Sequence, residues 1–393
     1  MHTKTLTVGF GRACITPAEH VGNPMEGYSN QICQGVLKDI FATCIAITDE
    51  QDNTMLLYTV DKTESEKTTI DAVRERLSAS TGIPADNISY SATHTHSTTV
   101  TRTMVPDYID QLVKAGEEAL ADRVPATVQI GSYDVPDMNF VRHYVTADGF
   151  NIGDNYGNYR SPLVGHVTDA DKTMRLIRFV REGKKDVLMV NWQVHPKLTS
   201  TWDTQEGRDT RYLISPDFLG YTRDYLEEKE DLLFAYYNGG SGNVNPLSRI
   251  PEEQAKIPKQ ATEYALMFGD HVLSALSSLR PVNAGMIRST KAPLGDRGFE
   301  LHAYTLGSIG FATVPAEIFD TTAKYIRDGS GCEMTFVLTC ANGRDTYIPV
   351  TELWDYHSND DRVPYEMRIC RYPRGTAEIL AQNLANMLTE LQK

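Results

Sequence analysis

Positive charge is scarce in this chain. Its 393 residues carry 38 Lys and Arg against 52 Asp and Glu, a formal net charge of −14, which opposes binding to phosphate backbones and anionic membrane surfaces. Nucleic acid is therefore not an expected partner. Long apolar runs are missing as well. No stretch of about 18 apolar residues occurs, the length a membrane-spanning helix needs, and the opening Met1-His2-Thr3-Lys4-Thr5-Leu6-Thr7-Val8 has no apolar signal-peptide core. A basic amphipathic helix is also lacking, so membrane docking is not expected. The chain reads as cytoplasmic, or as secreted if a signal segment has been removed. Cysteine is sparse: the six residues Cys14, Cys33, Cys44, Cys332, Cys340 and Cys370 show no CxxC spacing, and Cys44 sits in an apolar run as a small core residue would. They read as reduced thiols. Strict repeats, low-complexity tracts and linkers are absent too. Residues 1–393 are thus expected to form one large domain, or two intimately packed α/β halves.

What is present is an alternation of β-branched runs with amphipathic segments, which predicts an α/β protein with mixed sheets flanked by helices. Strands are expected at Thr7–Gly11, Phe41–Thr48, Thr54–Val60, Val128–Gly131, Met174–Val180, Asp186–Val194, Leu232–Tyr237, Ala284–Ser289, Leu301–Leu306 and Met334–Leu338. Helices are expected at Thr68–Ser80, Tyr108–Ala121, Asp217–Glu228, Gln260–Ser278, Glu317–Asp328 and Thr376–Leu391, where apolar residues recur every three to four positions. The segments Thr146–Leu163 and Thr199–Tyr212 are long, polar and aperiodic, and are candidate loops over a site.

Four places carry candidate chemistry. Residues 91–97 read Ser-Ala-Thr-His-Thr-His-Ser at the end of an apolar strand. Strand alternation would put His94 and His96 on one face roughly 6–7 Å apart, a spacing that suits one metal ion. A polar turn with two solvated histidines is the alternative. The strand from Asp186 delivers His195 to its end, where Pro196 stops the ladder; a core histidine bonded to a carbonyl would look the same. The run Gly310-Phe311-Ala312-Thr313-Val314-Pro315-Ala316-Glu317 leads from a strand into a helix whose first turn holds Glu317, a position where the helix dipole favours an anion. The fourth is Asn342-Gly343-Arg344-Asp345-Thr346-Tyr347-Ile348-Pro349, a turn-rich loop ending in a tyrosine that taken alone reads as a core phenol.

In order and local wording these places resemble the neutral, non-lysosomal ceramidase family. The likeness spans nearly the whole chain and includes Val8-Gly9-Phe10-Gly11-Arg12-Ala13-Cys14-Ile15-Thr16-Pro17, Met25-Glu26-Gly27-Tyr28 and Thr93-His94-Thr95-His96-Ser97. The resemblance implies a ceramidase-like catalytic domain and one zinc ion held by His94, His195, Glu317 and Tyr347. Such a donor set suits zinc, which can polarise a carbonyl and acidify water to a pKa of about 7. His96 is then placed to hydrogen-bond the water or the developing oxyanion. Asn139-Phe140-Val141-Arg142-His143 resembles the family's Asn-Arg stretch, which makes Arg142 a candidate oxyanion or substrate clamp, with a surface loop arginine as the alternative. Asp217, in Ser215-Pro216-Asp217-Phe218-Leu219-Gly220-Tyr221, and Asp61, at the end of the strand through Val60, are candidates to orient His94 or His195; a helix cap and a strand-end turn residue are their plainer readings.

Departures from the family bear on the substrate. Where ceramidases carry Gly-Asp-Val-Ser-Pro, this chain has Gly242-Asn243-Val244-Asn245-Pro246, so Asn243 replaces the aspartate and Asn245 the serine. A carboxamide is neither a nucleophile nor a base near neutral pH, which leaves Asn245 as an expected hydrogen-bond partner of substrate. The loop after His96 reads Ser97-Thr98-Thr99-Val100-Thr101 in place of a Ser-Gly-Pro-Gly run. Ceramidases also continue into a β-sandwich domain to which nothing in this sequence corresponds. These differences argue against ceramide. Asp154, Asn155, Tyr156, Asn158, Tyr159, Arg160, Trp202, Asp203, Arg208 and Arg211 in the two polar loops suit a small polar or sugar-like ligand instead. The expectation is a zinc-dependent hydrolase cleaving an amide in a small-molecule substrate. The rivals are a zinc hydrolase or lyase acting on an ester or glycosidic bond of a carbohydrate, and a non-catalytic zinc-containing binding protein.

Overall fold

The computed structural model describes residues 5–27, 31–64, 66–104, 106–154, 161–201, 204–205, 208–356 and 363–393. Four layers are stacked: helices, a nine-stranded mixed sheet, a four-stranded mixed sheet and helices again. The large sheet runs in the order Leu232–Asn238, Asp186–Trp192, Thr173–Arg181, Val124–Asp134, Thr7–Cys14, Phe41–Thr48, Thr54–Val60, Ile88–Ala92, with Arg280–Val282 added beside Val124–Asp134. The small sheet has the order Ile287–Leu294, Phe299–Leu306, Ile309–Thr313, Met334–Leu338. Strand alternation explains the layering. In Phe41–Thr48, Ile45 and Ile47 face Tyr304, Phe311 and Phe336 of the small sheet, while Cys44 and Ala46 face the helices Lys67–Thr81 and Asp107–Ala121 through Leu77, Leu112 and Ala115. Both faces are covered, so the central strands are apolar throughout.

Three crossovers matter for function. Thr54–Val60 and Ile88–Ala92 pair in parallel around the helix Lys67–Thr81. Asp186–Trp192 and Leu232–Asn238 do the same around Phe218–Lys229. Ile309–Thr313 and Met334–Leu338 do so around Asp320–Gly329. Each parallel pair sends its loops out at carboxyl ends, the usual place for a site in an open α/β sheet. Glycine permits one close approach that fixes the first layer: a Cβ on Gly11 would stand 2.1 Å from the Ala115 carbonyl oxygen, so the helix Asp107–Ala121 lies directly on the strand.

Several expected boundaries shift. Val128–Gly131 extends to Val124–Asp134, and the segment expected at Ala284–Ser289 forms at Ile287–Leu294. The latter is the outer strand of its sheet and carries the exposed Ser289, Thr290 and Lys291, so apolar patterning could not register it. Gln260–Ser278 ends its α-helix at Ala275 and closes with a 3₁₀ turn. Glu317 does not lie in a helical first turn. It begins the two-residue strand Glu317–Ile318, paired in parallel with Tyr347–Ile348, and the helix starts at Asp320. All six cysteines are free. No helix among the described residues is long and apolar enough to cross a membrane.

Candidate metal centre and active site

The pair of histidines is not placed by strand alternation. The strand stops at Ala92, and His94 adopts φ 71°, a left-handed conformation costly for a side chain with a Cβ. The turn is tied down by the His94 amide donating to the Lys62 carbonyl at 2.9 Å and the Thr93 amide donating to Val60 at 2.8 Å. It brings the two rings edge to face at 4.8 Å, with their Nε2 atoms 3.3 Å apart. Gly27, at φ 88°, makes room: a Cβ there would sit 2.7 Å from His96 Nδ1.

His195 arrives from the neighbouring crossover, its ring centroid 4.7 Å from that of His94. The second nitrogens of these two rings meet backbone carbonyls, His94 Nδ1 at 2.6 Å from Thr63 O and His195 Nδ1 at 3.2 Å from Val244 O. A carbonyl can only accept, so Nδ1 carries the hydrogen and each Nε2 is turned inward. Carbonyls, not carboxylates, therefore orient the rings. Asp217 caps its helix at Phe218 N and accepts from Thr199, and Asp61 accepts from Phe41 N and Arg223. Neither reaches His94 or His195 in the way expected of it.

Glu317 Oε2 lies 3.1 Å from His94 Nε2 and 3.2 Å from His195 Nε2, yet it is buried without a hydrogen bond of proper geometry. Tyr347 Oη stands 3.3 Å from His195 Nε2. Two imidazole nitrogens, a carboxylate oxygen and a phenol oxygen thus converge on a small space, where shared protons or a metal cation can satisfy them. Donors held about 2.0–2.1 Å from one tetrahedral ion stand roughly 3.3 Å apart, so these separations fit ligands that share a metal. His94, His96 and His195 form a group that could hold a metal ion.

Electrostatics follow from burial among like and unlike charges. Burial opposes charging of His94, but Cys340 and Glu317 beside it raise its pKa above the usual imidazole value. Burial, then His94, lowers His96, and burial with Arg142 holds His195 down to about 3. Burial would raise Glu317, but His94 keeps its carboxyl well below the usual range. The Tyr347 phenol is pushed up by burial and by Glu317.

These groups open into a cavity of about 910 Å³. Arg142 lines it and is buried, not a surface arginine. Its Nη2 lies 2.6 Å from Glu366 Oε1, Nε donates to the same oxygen at 2.7 Å, and the guanidinium stands 5.4 Å from the Tyr347 ring centre. Burial disfavours the charge, but Glu366 holds the guanidinium protonated. Asn245 is not among the lining residues. Its Nδ2 donates to Asp154 Oδ2 at 2.8 Å, so it supports a cavity residue where a direct substrate contact was expected. Asn243 accepts from Asp320 N and donates to Asp320 Oδ1, pinning the helix start near Glu317.

Sequence reasoning overlooked Lys197, Glu366 and the charged mouth of the cavity formed by Glu64, Arg297, Arg344, Asp345 and Arg371. A lysine directly after His195-Pro196 was the only available signal; Glu366 lies 224 residues from Arg142 and had none. Of the described residues in the two polar loops, Asp154 lines the cavity, whereas Arg211 is exposed and paired with Asp209. Tyr28, Asn155, Tyr156, Asn158, Tyr159, Arg160, Trp202, Asp203 and the Arg208 side chain lie outside the described residues.

The class is thus a four-layered α/β protein with a histidine cluster able to hold a metal where its parallel strands end. Its architecture is the ceramidase fold. A ceramidase solved in complex with C2 superposes with a TM-score of 0.79, covering 99% of this chain and 75% of that one at 16% identity. Neutral ceramidase from Pseudomonas aeruginosa gives 0.76, covering 99% and 74% at 17% identity. No protein-family model matches the chain, and no curated protein matches it.

Proposed function

We propose that this protein is a zinc-dependent hydrolase that cleaves an amide bond in a small polar substrate. The observation that carries the reading is the buried Glu317 Oε2, unbonded and 3.1–3.2 Å from two inward-facing imidazole nitrogens at the floor of a 910 Å³ cavity. His94, His195, Glu317 and Tyr347 would hold the ion. Zinc, when bound, supplies Lewis acidity and acidifies water.

The chain's own residues do the rest. The Thr63 and Val244 carbonyls keep His94 and His195 in the tautomer that presents Nε2. Arg142, fixed by Glu366, presents permanent positive charge to the carbonyl oxygen as negative charge develops there. His96, neutral and 3.3 Å from His94 Nε2, hydrogen-bonds the attacking water and takes part in its proton transfer. Water oxygen bonds to the carbonyl carbon, the C–N bond breaks, and both water protons end on the departing nitrogen, leaving a carboxylate and an ammonium. Asn245 takes no chemical part and holds Asp154 in the wall.

The test is metal content by mass spectrometry on wild type, His94→Ala and His195→Ala, together with amine release from N-acylated compounds. About one zinc per chain, lost in both variants along with amine release, is expected. Zinc retained in both variants would refute the ligand set, and release of new reducing ends or alcohols without amine would replace amidase by glycosidase or esterase.

A further inference from the structure

Among the described residues, Lys197 is an inner-wall cation whose carboxylate contact, Asp154 at 3.8 Å, is long and shared with another cation. It follows His195-Pro196 as the chain leaves the metal-binding strand, and its side chain is 14% exposed. Its ammonium approaches Asp154 Oδ2 no closer than 3.8 Å and makes no hydrogen bond among the described residues. Asp154 is already engaged: Oδ1 accepts from Arg249 at 2.5 Å and Oδ2 from Asn245 at 2.8 Å. Glu366, the other carboxylate of this wall, is taken by Arg142 and by His143, whose Nε2 lies 3.2 Å away. Three cations, Arg142, Lys197 and Arg249, thus share two carboxylates. An ammonium on the cavity wall with no protein hydrogen-bond acceptor leaves its donors to water or to a ligand that displaces it.

We infer that Lys197 forms a carboxylate-binding subsite, so that the substrate is an amide bearing a carboxylate group, and that Lys197 determines specificity for it. The inference rests on the hydrolase reading for its amide but not for its anion. A single ammonium offers one positive charge, and with Arg142 and Arg249 already paired to carboxylates that one charge balances a monoanionic carboxylate rather than a phosphate dianion. Asp154, held by Arg249 and Asn245, keeps the ammonium from swinging away while leaving its remaining donors for the ligand. The carboxylate is a second recognition element beside the carbonyl that undergoes attack, and binding both ends holds the scissile bond in place.

Calorimetric titration of zinc-loaded protein with acetate, acetamide and inorganic phosphate tests the subsite, with wild type, Lys197→Met and Lys197→Arg compared. Circular dichroism and zinc content establish that each variant is folded and loaded. Acetate is expected to bind wild type and Lys197→Arg, to bind Lys197→Met at least about tenfold more weakly, and to be preferred over acetamide only when the cation is present. Acetate binding that ignores Lys197→Met, or is absent from wild type, overturns the inference, and phosphate binding that alone depends on Lys197 replaces the carboxylate by a phosphate. N-acetylglycine and its N-methylamide separate this from the catalytic reading. Hydrolysis of both with no dependence on Lys197 sinks the subsite and leaves the hydrolase, whereas Lys197-dependent acetate binding without hydrolysis of any N-acyl compound sinks the hydrolase and leaves the subsite.

Discussion

The floor and the mouth of the cavity are built on different principles. At the floor, His94, His195 and Tyr347 are buried and Glu317 is nearly so, with the two imidazoles held by backbone carbonyls. At the mouth, Arg297, Arg344 and Arg371 are long side chains in solvent, and Arg344 reaches Glu64 at 2.5 Å while itself about half exposed. Burial holds the Glu64 carboxyl up to about 7 despite that arginine. The floor suits chemistry that needs donors held in place before substrate arrives. The mouth suits attraction of charged ligands, since solvated charges can rearrange at little cost. Lys197 sits between them, nearly buried and only loosely held by Asp154 at 3.8 Å, where recognition meets chemistry.

The contrast predicts a graded set of effects. His94→Ala or His195→Ala is expected to abolish zinc binding and activity together, measured by mass spectrometry and amine release, because no floor residue has a substitute. Arg142→Met should keep the metal but lower kcat by about 10²–10³-fold, the usual cost of one oxyanion donor. It should also destabilise the fold by roughly 3–5 kcal/mol, since Glu366 is left buried and unpaired. Adding Glu366→Gln should recover much of that melting temperature and none of the rate. A separate loss of stability with unchanged kcat would make Arg142 structural only.

The same pair sets an acid limb. Burial would raise the Glu366 carboxyl, but Arg142 and His143 hold it well below its ordinary value, about 4.3 in the unfolded chain. Its contribution to stability is therefore complete above that value and is lost as pH falls further. Melting temperatures between pH 5 and pH 3 should fall more steeply in wild type than in Arg142→Met/Glu366→Gln; parallel curves would contradict this.

Smaller effects are expected away from the floor. Gly27→Ala puts a methyl 2.7 Å from His96 Nδ1 at a positive φ, so it should cost about 1–2 kcal/mol and lower kcat with zinc retained, read by thermal melting and single-turnover rates. Arg344→Ala at the mouth should change stability by less than about 1 kcal/mol and act on ligand association alone, in a manner that weakens with salt. If Arg344→Ala proved as damaging as Arg142→Met, the division between floor and mouth would be wrong.

Much of the framework was legible before any coordinates. Phe41–Thr48, Thr54–Val60, Met334–Leu338 and Thr376–Leu391 form with the boundaries their apolar periodicity dictates. His94, His195, Glu317 and Tyr347 drew notice by residue type and local wording, although two of the structural reasons given for them fail. His94 turns through a left-handed residue, and Glu317 lies in a two-residue strand before its helix. Local pattern says little about a single residue of unusual φ or about a pairing as short as Glu317 with Tyr347. The polar outer strand Ile287–Leu294, expected at Ala284–Ser289, was misregistered for the same reason: its stability comes from its neighbour, not from its own apolar face.

The sequence by itself determined the alternation of strands and helices, the net negative charge, the lack of an apolar run of bilayer-spanning length, and the kinds of donor available for a metal. These depend on periods of two and 3.6 residues and on side-chain chemistry, both of which are local. Only the tertiary structure decided which donors meet and what supports them. Arg142 with Glu366, Asn245 with Asp154, the Thr63 carbonyl with His94, and Lys197 at 3.8 Å from an Asp154 already engaged by Arg249 are all products of crossovers between distant segments. Contacts of that kind are set by how the layers pack, and packing is a property of the whole chain.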